Sequence, residues 1–173
     1  MKIVIAGAGD MGTHLAKMLS GNGHDITVAD VDPKALAELG SLVDVETTEG
    51  DTTQFSVLRK AGVRKCDLFI AVRSVENDNI LSAVMAKQLG ARKAIARVDS
   101  NEYLGPNSKE VFIDMGIDYL FYPEQIAARE VINLLAHTST SEYVDFAAGK
   151  LSLVAFRLEL SSPLIGRSVV DAE

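Results

Sequence analysis

The chain has 173 residues, which is enough for one domain of ordinary size followed by a short second segment. Its formal net charge of −7 argues against nucleic acid as a partner, because the average field of the surface repels a polyanion. Apolar residues make up 47% of the sequence and aromatic residues only 6%, which is typical of a compact α/β core and not of a disordered chain.

The cysteine content and the lengths of the apolar runs indicate a cytoplasmic protein. Cys66 has no second cysteine in the chain to pair with, as expected in a reducing compartment. The apolar run at residues 3–6 is cut at once by Gly7, so the N-terminus does not resemble a signal peptide. No segment approaches the roughly 18–20 apolar residues of a membrane-spanning helix. We therefore expect any role at a membrane to depend on a partner protein.

Short apolar runs alternate with helical patterns over the first 137 residues. Six runs predict strands at residues 2–6, 24–30, 43–46, 67–72, 93–98 and 118–121. Six further segments predict helices at residues 10–21, 33–39, 53–61, 76–89, 107–115 and 124–137. This alternation predicts an α/β fold, a doubly wound, Rossmann-like parallel sheet of about six strands with helices on both faces.

Glycines and apolar spacing refine the predicted helices. Gly40 and Gly90 each follow a predicted helix, where glycine is favoured because it tolerates a positive φ angle. In helix 76–89 an apolar stripe has the spacing expected of residues that lie on the sheet. Its members are Leu81, Val84, Met85 and Leu89.

The pattern changes after residue 137. Residues 138–141 read Thr-Ser-Thr-Ser, a connector, and the runs 143–147 and 150–160 have strand character. The remaining segment has 173 − 137 = 36 residues, too few for a separate substrate domain of usual size. We predict a Rossmann-like domain at residues 1–137, then the truncated start of a small β-containing C-terminal module at 138–173.

A G-x-G-x-x-G element at residues 7–12 directly follows the first predicted strand and opens the first predicted helix. In such an element Gly7 permits the tight turn, Gly9 lets the backbone approach a pyrophosphate, and Gly12 lets helix and strand pack closely. The helix N-terminus offers unpaired amides and the positive end of its dipole to the phosphates. The alternative is a glycine-rich turn that binds nothing.

Asp30 ends the second predicted strand, 18 residues after Gly12. An acid about 20 residues beyond the last glycine commonly accepts hydrogen bonds from the adenosine ribose. A 2′-phosphate at that position would meet the carboxylate, so the spacing favours NAD(H) or an adenine nucleotide over the NADP forms. Alternatively, Asp30 only begins the following turn and caps the next helix.

Two polar residues follow the third predicted strand, at the edge of the sheet where such folds bind ligands. Asp51 and Thr52 can hydrogen-bond the adenine side of a nucleotide there. Each is also a suitable N-cap for helix 53–61, so a purely structural role is equally compatible with the sequence.

Two arginines are predicted at the same edge. Arg73 follows the fourth predicted strand and Arg97 lies at the end of the fifth. An arginine at the end of a buried strand is costly unless an anion pairs with it, so Arg97 is a candidate ligand for a phosphate. Pairing with an acid of the protein, Asp99 or Glu102, is the alternative.

No catalytic residue and no metal ligand is predicted. The three histidines have no recognisable proton-transfer context, Cys66 has no C-x-x-C partner, and a P-loop motif is missing from the sequence. We therefore expect a protein that binds a nucleotide without turning it over, and not an enzyme. The alternative is the NAD-binding domain of an NAD-dependent dehydrogenase truncated before its catalytic domain.

Four segments together resemble the RCK (or KTN) family of potassium-transport nucleotide-binding domains. They are residues 2–12, 50–51, 70–72 with Asn79, and 95–98. Residues 141–166 resemble the linker and first strands of the C-terminal (TrkA-C) module of that family.

The resemblance implies a cytoplasmic regulatory subunit of a bacterial potassium uptake system, peripheral on the inner face of the membrane. Such a subunit binds NAD(H), or ADP or ATP, and gates a potassium-translocating, TrkH/TrkG-like membrane subunit. It also implies a homodimer through helix 124–137 and a higher ring assembly. The ligand contacts carried over are Gly7, Ala8, Gly9, Asp10, Met11, Gly12, Asp30, Asp51, Thr52, Arg73 and Arg97.

Three positions bear on the ligand and the assembly. ATP-binding members of the family often have arginine where this chain has Asp10, and an acid there repels a γ-phosphate, so NAD(H) or ADP is favoured. Arg73 stands where a small hydroxyl residue is common. Glu124 matches a position that in some members approaches a metal and the terminal phosphate across a dimer. Helix 124–137 has an apolar surface wide enough for a partner as well as its own sheet, formed by Ile126, Ala127, Val131, Ile132, Leu134 and Leu135. The alternative is that this surface only covers the helix's own sheet.

Overall fold

The computed structural model describes residues 1–136, 142–146, 151–155, 158, 162–166 and 168. The chain divides into two compact units, residues 1–124 and 125–173. The domain boundary predicted between residues 137 and 138 lies outside the described residues and stays a prediction. Among the described residues, no helix is both long enough and apolar enough to cross a lipid bilayer.

In the described part of the first unit, parallel strands alternate with helices. The strands are β1 (Lys2–Ala6), β2 (Asp25–Asp30), β3 (Glu46–Glu49), β4 (Leu68–Ala71), β5 (Lys93–Arg97) and β6 (Tyr119–Phe121). The helices are α1 (Asp10–Ser20), α2 (Pro33–Leu42), α3 (Phe55–Lys60), α4 (Glu76–Leu89) and α5 (Pro106–Asp114), and α6 (Pro123–Ala136) begins here and continues into the second unit.

The six strands form one parallel sheet in the order β3-β2-β1-β4-β5-β6. Ile5 of β1 pairs with Val28 of β2 on one side and with Ile70 of β4 on the other. The order reverses between β1 and β4, so the chain leaves these two neighbouring strands in opposite directions across the sheet. This arrangement confirms the predicted doubly wound fold and places a crevice at the carboxyl ends of β1 and β4.

Each face of the sheet has its own apolar core, because alternate residues of a strand point to opposite faces. Ile3 and Ile5 pack with Leu36 and Leu39 of α2 on one face. Val4 and Ala6 belong to the core on the other face. The strand residues of this second core include many alanines, which lets the covering helix approach the sheet closely.

The predicted stripe of helix α4 packs against the core except at Leu81, with Val84 and Leu89 partly buried there. Leu81, predicted in the core stripe, is 49% exposed, whereas Met85 is buried as expected. The buried face of α4 consists of Asn79, Ser82, Ala83, Met85 and Ala86. Three of these residues, Ser82, Ala83 and Ala86, are small, which suits the alanine-rich side of the sheet that they face.

Two predicted boundaries in the second βα unit are wrong. Helix α2 runs through Gly40 and ends at Leu42, with the backbone N–H of Val43 bonded to the carbonyl oxygen of Leu39. Strand β3 therefore begins at Glu46, where the apolar run 43–46 ends. As an edge strand that buries only Thr48, β3 is polar, and hydrophobicity does not mark it.

The described part of the second unit contains the rest of α6 and one hairpin. Strands β7 (Glu142–Phe146) and β8 (Leu151–Ala155) pair antiparallel, with Phe146 opposite Leu151. These strands fall within the predicted runs 143–147 and 150–160, apart from Glu142. In α6 several apolar side chains are exposed: Ile126, Val131, Ile132, Leu134 and Leu135.

Candidate functional site

The glycine turn between β1 and α1 needs two of its glycines for packing. Gly7 has a φ angle of +119°, which L side chains rarely adopt, and its backbone N–H bonds to the carbonyl oxygen of Ala29. A Cβ atom on Gly12 would collide with the carbonyl oxygen of Gly7. Contacts within the chain therefore explain why residues 7 and 12 are glycine.

Gly9 differs from its two neighbours in the motif. A Cβ atom added to Gly9 would meet no atom within 4 Å, and its φ of −69° and ψ of −171° suit any residue. Gly9 is nevertheless the N-cap of α1, where Ser, Thr, Asp or Asn would stabilise the helix better. Its small size leaves open space in front of the first helical turn, as a phosphate group requires.

The first turn of α1 lies beside this open space. The N-cap residue Gly9 offers no side-chain acceptor to the first backbone N–H groups of the helix. Asp10 begins the helix and is exposed, while Met11 is half-buried against the core between α1 and the sheet. Asp10 stabilises the positive end of the helix dipole and adds a negative charge where phosphates would lie.

Asp30 connects the end of β2 to the glycine turn. Its Oδ2 accepts a 2.7 Å hydrogen bond from the backbone N–H of Ala8, and its Oδ1 accepts a 2.9 Å hydrogen bond from the backbone N–H of Asp32. The N-cap of α2 is Asp32, whose side chain accepts a hydrogen bond from the backbone N–H of Lys34. The predicted capping role of Asp30 is therefore wrong, although the predicted turn bond of Asp30 is present. Each carboxylate oxygen keeps a lone pair for a ribose hydroxyl.

The loop after β3 lies next to Asp30. The backbone N–H of Gly50 bonds to the carbonyl oxygen of Asp30. The Oδ1 atom of Asp51 accepts a 3.0 Å bond from the N–H of Thr53. This bond, aided by Arg73 against the opposing effect of burial, lowers the pKa of Asp51, so its carboxylate is ionised at neutral pH.

Neither residue after β3 caps the following helix. Helix α3 begins at Phe55 with Gln54 as its N-cap, so the predicted capping role of Asp51 and Thr52 is wrong. Thr52 is fully buried, and its Oγ1 has no hydrogen-bond partner within the described residues. A buried hydroxyl without a partner is costly, which makes this loop a candidate contact for a bound molecule.

Arg73 is held by two acids. Its Nη1 atom lies 3.1 Å from Oδ1 of Asp51 and 3.1 Å from Oδ2 of Asp78, and its side chain is 17% exposed. Strands β2 and β1 lie between β3 and β4 in the sheet, so the Arg73–Asp51 ion pair spans the carboxyl edge of two strands. The predicted arginine is present at this edge, already neutralised by protein carboxylates.

Arg97 is also paired with acids. Its Nη2 atom lies 2.8 Å from Asp99 and 3.6 Å from Glu124. The alternative of an acidic partner is thus confirmed for Asp99, while Glu102 forms no ion pair with Arg97 in the described part of the chain. The buried Nε of Arg97 has no hydrogen-bond partner among the described residues, so one donor is left over for a ligand.

Asn79 holds the ends of β4 and β5 together. Its Oδ1 accepts a 2.7 Å bond from the backbone N–H of Arg73, and its Nδ2 donates to the carbonyl oxygens of Arg73 and Arg97 at 2.9 and 3.1 Å. The side chain is fully buried. No separate role is predicted for Asn79 from the sequence. A polar residue that shares a helical face with Ser82 and Ala83 was the available signal.

A groove of 370 Å³ opens beside the glycine turn, between α1 and α2. Gly9 and Asp10 line one end of it, and His14, Lys17 and Glu38 contribute polar side chains further along. His14 and Lys17 are three residues apart on α1 and so share one face of the helix. No role at the site is predicted from the sequence for His14, Lys17 or Glu38.

A match to a protein-family model shows which family the chain belongs to. The family model of the TrkA-N domain matches residues 3–123, which cover the glycine turn and all of the parallel sheet except Lys2. The chain belongs to the TrkA-N domain family. The recognised resemblance to potassium-transport nucleotide-binding proteins is thereby confirmed.

Curated relatives extend the match beyond the TrkA-N domain. The chain is 36% identical over 172 residues to the Trk system potassium uptake protein TrkA homolog of Archaeoglobus fulgidus, covering 99% of this chain and 38% of the relative. It is 34% identical over 170 residues to the Trk system potassium uptake protein TrkA of Halomonas elongata, covering 98% of this chain and 37% of the relative. The chain therefore spans less than two fifths of the length of these relatives.

Solved structures share the fold of this TrkA-N domain. The TrkA-N domain of the inner membrane protein ybaL from Escherichia coli superposes with a TM-score of 0.67 at 16% identity, covering 78% of this chain and 96% of that one. The GsuK channel bound to NAD superposes with a TM-score of 0.57 at 21% identity, covering 69% of this chain and 21% of that one. GsuK bound to ADP superposes with a TM-score of 0.62 at 22% identity, covering 79% of this chain and 34% of that one. At these identities the likeness shows the fold alone.

The described part of the TrkA-N domain offers no cluster of three or more His, Cys, Asp or Glu side chains that could hold a metal ion. Cys66 is buried, and burial raises the pKa of its thiol to about 11, so the thiolate form needed for nucleophilic chemistry is scarce at neutral pH. The polar groups at the carboxyl edge of the sheet are hydrogen-bond donors and acceptors suited to binding.

Proposed function

We propose that this chain is the nucleotide-sensing part of a regulatory subunit of a potassium uptake system. NAD(H) is the expected ligand, with ADP or ATP as the alternatives. Membership of the TrkA-N family and similarity to Trk system potassium uptake proteins along nearly the whole chain support the physiological context. In this proposal the nucleotide is bound and not turned over.

The observation that carries the proposal is the contrast among the three glycines. Packing within the chain accounts for Gly7 and Gly12, whereas Gly9 leaves open space in front of an uncapped helix N-terminus. The pyrophosphate of a nucleotide fits that space, and the amides and dipole of α1 favour its negative charge. The ribose then lies at Asp30, which already positions the turn through Ala8.

The other proposed ligand contacts follow from the order of the strands along the carboxyl edge of the sheet. Asp51 and Thr52, which adjoin Asp30, are proposed for the adenosine side. Arg73 and Arg97, at the ends of β4 and β5, are proposed for the other end of the ligand. The unpaired Oγ1 of Thr52 and Nε of Arg97 support these assignments, because buried polar atoms of the described residues would gain a partner.

Binding regulates only if the ligand prefers one conformation. A tenfold shift between two states requires a difference in binding free energy of about 1.4 kcal/mol. A ligand that bridges the glycine turn and the ends of β4 and β5 is proposed to change the geometry between paired domains, and thereby a TrkH/TrkG-like membrane subunit. The protein would then be cytoplasmic and peripheral on the inner face of the membrane.

Pairing is proposed through helix 124–137, followed by assembly into a ring. Five large apolar side chains of α6 are more than half exposed, among them Leu134 and Leu135. Burying such side chains against a second copy contributes about 25 cal/mol per Å² of apolar surface. This favours association through the helix.

Calorimetric titration of the chain with NAD, NADH, ADP and ATP tests the nucleotide proposal. Saturable one-site binding of at least one of the four is expected. Failure of all four to bind at millimolar concentration would contradict it. The regulatory claim is tested separately by potassium flux through the full-length uptake complex in vesicles, where NADH or ATP should change the rate. An unchanged rate with every nucleotide would remove the regulatory claim.

A further inference from the structure

Arg73 connects the end of β4, beside the glycine turn, to the loop after β3 through its ion pair with Asp51. Strands β1 and β4 are neighbours, and a Cβ on Gly7 would lie 3.1 Å from the backbone nitrogen of Arg73. The guanidinium group is mostly buried and contacts Asp51 and Asp78 with the same nitrogen, at 3.1 Å each. One cation is thus shared by two anions, and the group of three carries a net charge of −1.

The two acids differ in how firmly they are fixed. Asp51 also accepts a hydrogen bond from the backbone of Thr53, so its position is set by the loop after β3. Asp78 lies in the first turn of α4, where the helix dipole favours an ionised carboxylate. Its side chain is 32% exposed, so it can be replaced without disturbing the core. Asp78 is therefore the acid that can be removed to release Arg73.

Nucleotides differ in the anion they would present to Arg73. Each phosphate of NADH has one ester bond to a ribose and shares the anhydride bond, so it carries one negative charge, whereas the terminal phosphate of ADP or ATP carries up to two. Such a terminal group gains most from a guanidinium that is free to form two parallel hydrogen bonds. An arginine already bonded to two carboxylates offers this pairing only after one acid is displaced.

We propose that Asp78 is a specificity-determining residue, which occupies Arg73 and thereby lowers the affinity of the site for ADP and ATP relative to NADH. The inference rests on the proposed nucleotide site and adds a residue outside the glycine motif. Asp10, at the start of α1, acts in the same direction, because its charge also opposes a terminal phosphate.

The test measures the dissociation constants of NADH and ADP for the unmodified chain, for Asp78→Asn and for Asp25→Asn. Asp25→Asn is the matched control, since it removes one negative charge from an exposed side chain paired with Lys2 at the opposite edge of the sheet. In Asp78→Asn the ratio of ADP to NADH affinity should rise about fivefold or more, as expected for one charge-assisted hydrogen bond that is partly screened. In Asp25→Asn the ratio should stay constant.

A second variant separates pairing with Arg73 from simple repulsion. With Arg73→Gln as background, Asp78→Asn should leave the ratio nearly unchanged, because no guanidinium remains to be released. An equal rise in that background would show that Asp78 acts on the ligand directly and would overturn the mechanism. An unchanged ratio in Asp78→Asn with intact NADH binding would overturn the inference alone, whereas failure of the unmodified chain to bind either nucleotide would overturn the proposed function.

Discussion

Asp30 holds the glycine turn through a 2.7 Å hydrogen bond that its carboxylate accepts from the backbone N–H of Ala8. The residue proposed to bind the ribose thus also positions the segment proposed to bind the phosphates. A ligand that contacts both would bridge the ends of β1 and β2, and the loss of this one carboxylate should weaken both contacts.

Replacing Asp30 by alanine should weaken NADH binding by at least a few-fold. Hydrogen bonds to a charged group contribute about 1.5–3 kcal/mol, and the loop bond to Ala8 is lost as well. Asp32→Ala is the matched control, because it removes the N-cap of α2 and should lower stability by ~1 kcal/mol without changing affinity. Calorimetric titration of both variants measures the difference. Equal affinities for NADH in Asp30→Ala and the unmodified chain would show that the ribose assignment is wrong.

Replacing Asn79 by alanine should destabilise the protein strongly. The change removes three buried hydrogen bonds and leaves backbone groups of Arg73 and Arg97 without partners, at a cost of roughly 2–4 kcal/mol. Urea unfolding measures the effect. Asn22→Ala is the control, since its exposed side-chain amide donates a hydrogen bond to the carbonyl oxygen of Met18 and the loss of this bond should cost under ~0.5 kcal/mol. A similar small change in both variants would contradict the bridging role of Asn79.

Asp118 should make stability depend on pH in the acid range. Burial raises the pKa of Asp118, but bonds from the backbone of Ala94 and the ammonium group of Lys87 outweigh it and hold the pKa below the ordinary 3.8. Below pH 3.8 the unfolded chain then binds more protons at this residue than the folded chain does. The contribution is therefore complete above that pH and is lost as pH falls through the lowered pKa.

The matching variant is Asp118→Asn. At neutral pH it should be less stable than the unmodified chain by about 1 kcal/mol, a figure reduced because the side chain is partly exposed. The difference should shrink as pH falls below 3.8 and through the lowered pKa, and it should disappear once Asp118 is protonated in both the folded and the unfolded state. Urea unfolding at a series of pH values measures it. A difference that stays constant down to pH 2 would show that Asp118 contributes through its shape and not its charge.

The order of strands and helices could be predicted because it depends on local sequence patterns. Apolar strands alternate with helices, and the glycine spacing at residues 7–12 marks the turn at the reversal of strand order. Since carboxyl ends of parallel strands meet at one edge, this order also placed Asp30, Arg73 and Arg97 at the same edge of the sheet. Their identity as ligand contacts remains a prediction.

The pairing of side chains could not be predicted. Arg73 reaches Asp51 across the ends of two strands, a relationship that no sequence spacing encodes. Leu81 was misplaced because apolar periodicity assigns the largest residues to the core, whereas the face of α4 against the sheet carries small residues such as Ala83. Strand β3 was misplaced because this edge strand buries only Thr48 and so has no apolar pattern to detect.

Gly9→Ala tests the central claim most directly. A methyl group at residue 9 meets no atom of the protein and suits the local backbone, so the free energy of unfolding should change by less than ~0.5 kcal/mol. The same methyl group fills the space proposed for the pyrophosphate, so the affinity for NADH should fall by at least about tenfold, a loss of 1.4 kcal/mol.

Gly40→Ala is the control, because it adds a methyl group in open space within α2, away from the turn, and should leave affinity unchanged. The decisive measurement is calorimetric titration of Gly9→Ala with NADH beside this control. We expect weak or undetectable binding in Gly9→Ala and unaltered binding in Gly40→Ala. Equal NADH affinity in both variants would show that no phosphate lies against the start of α1.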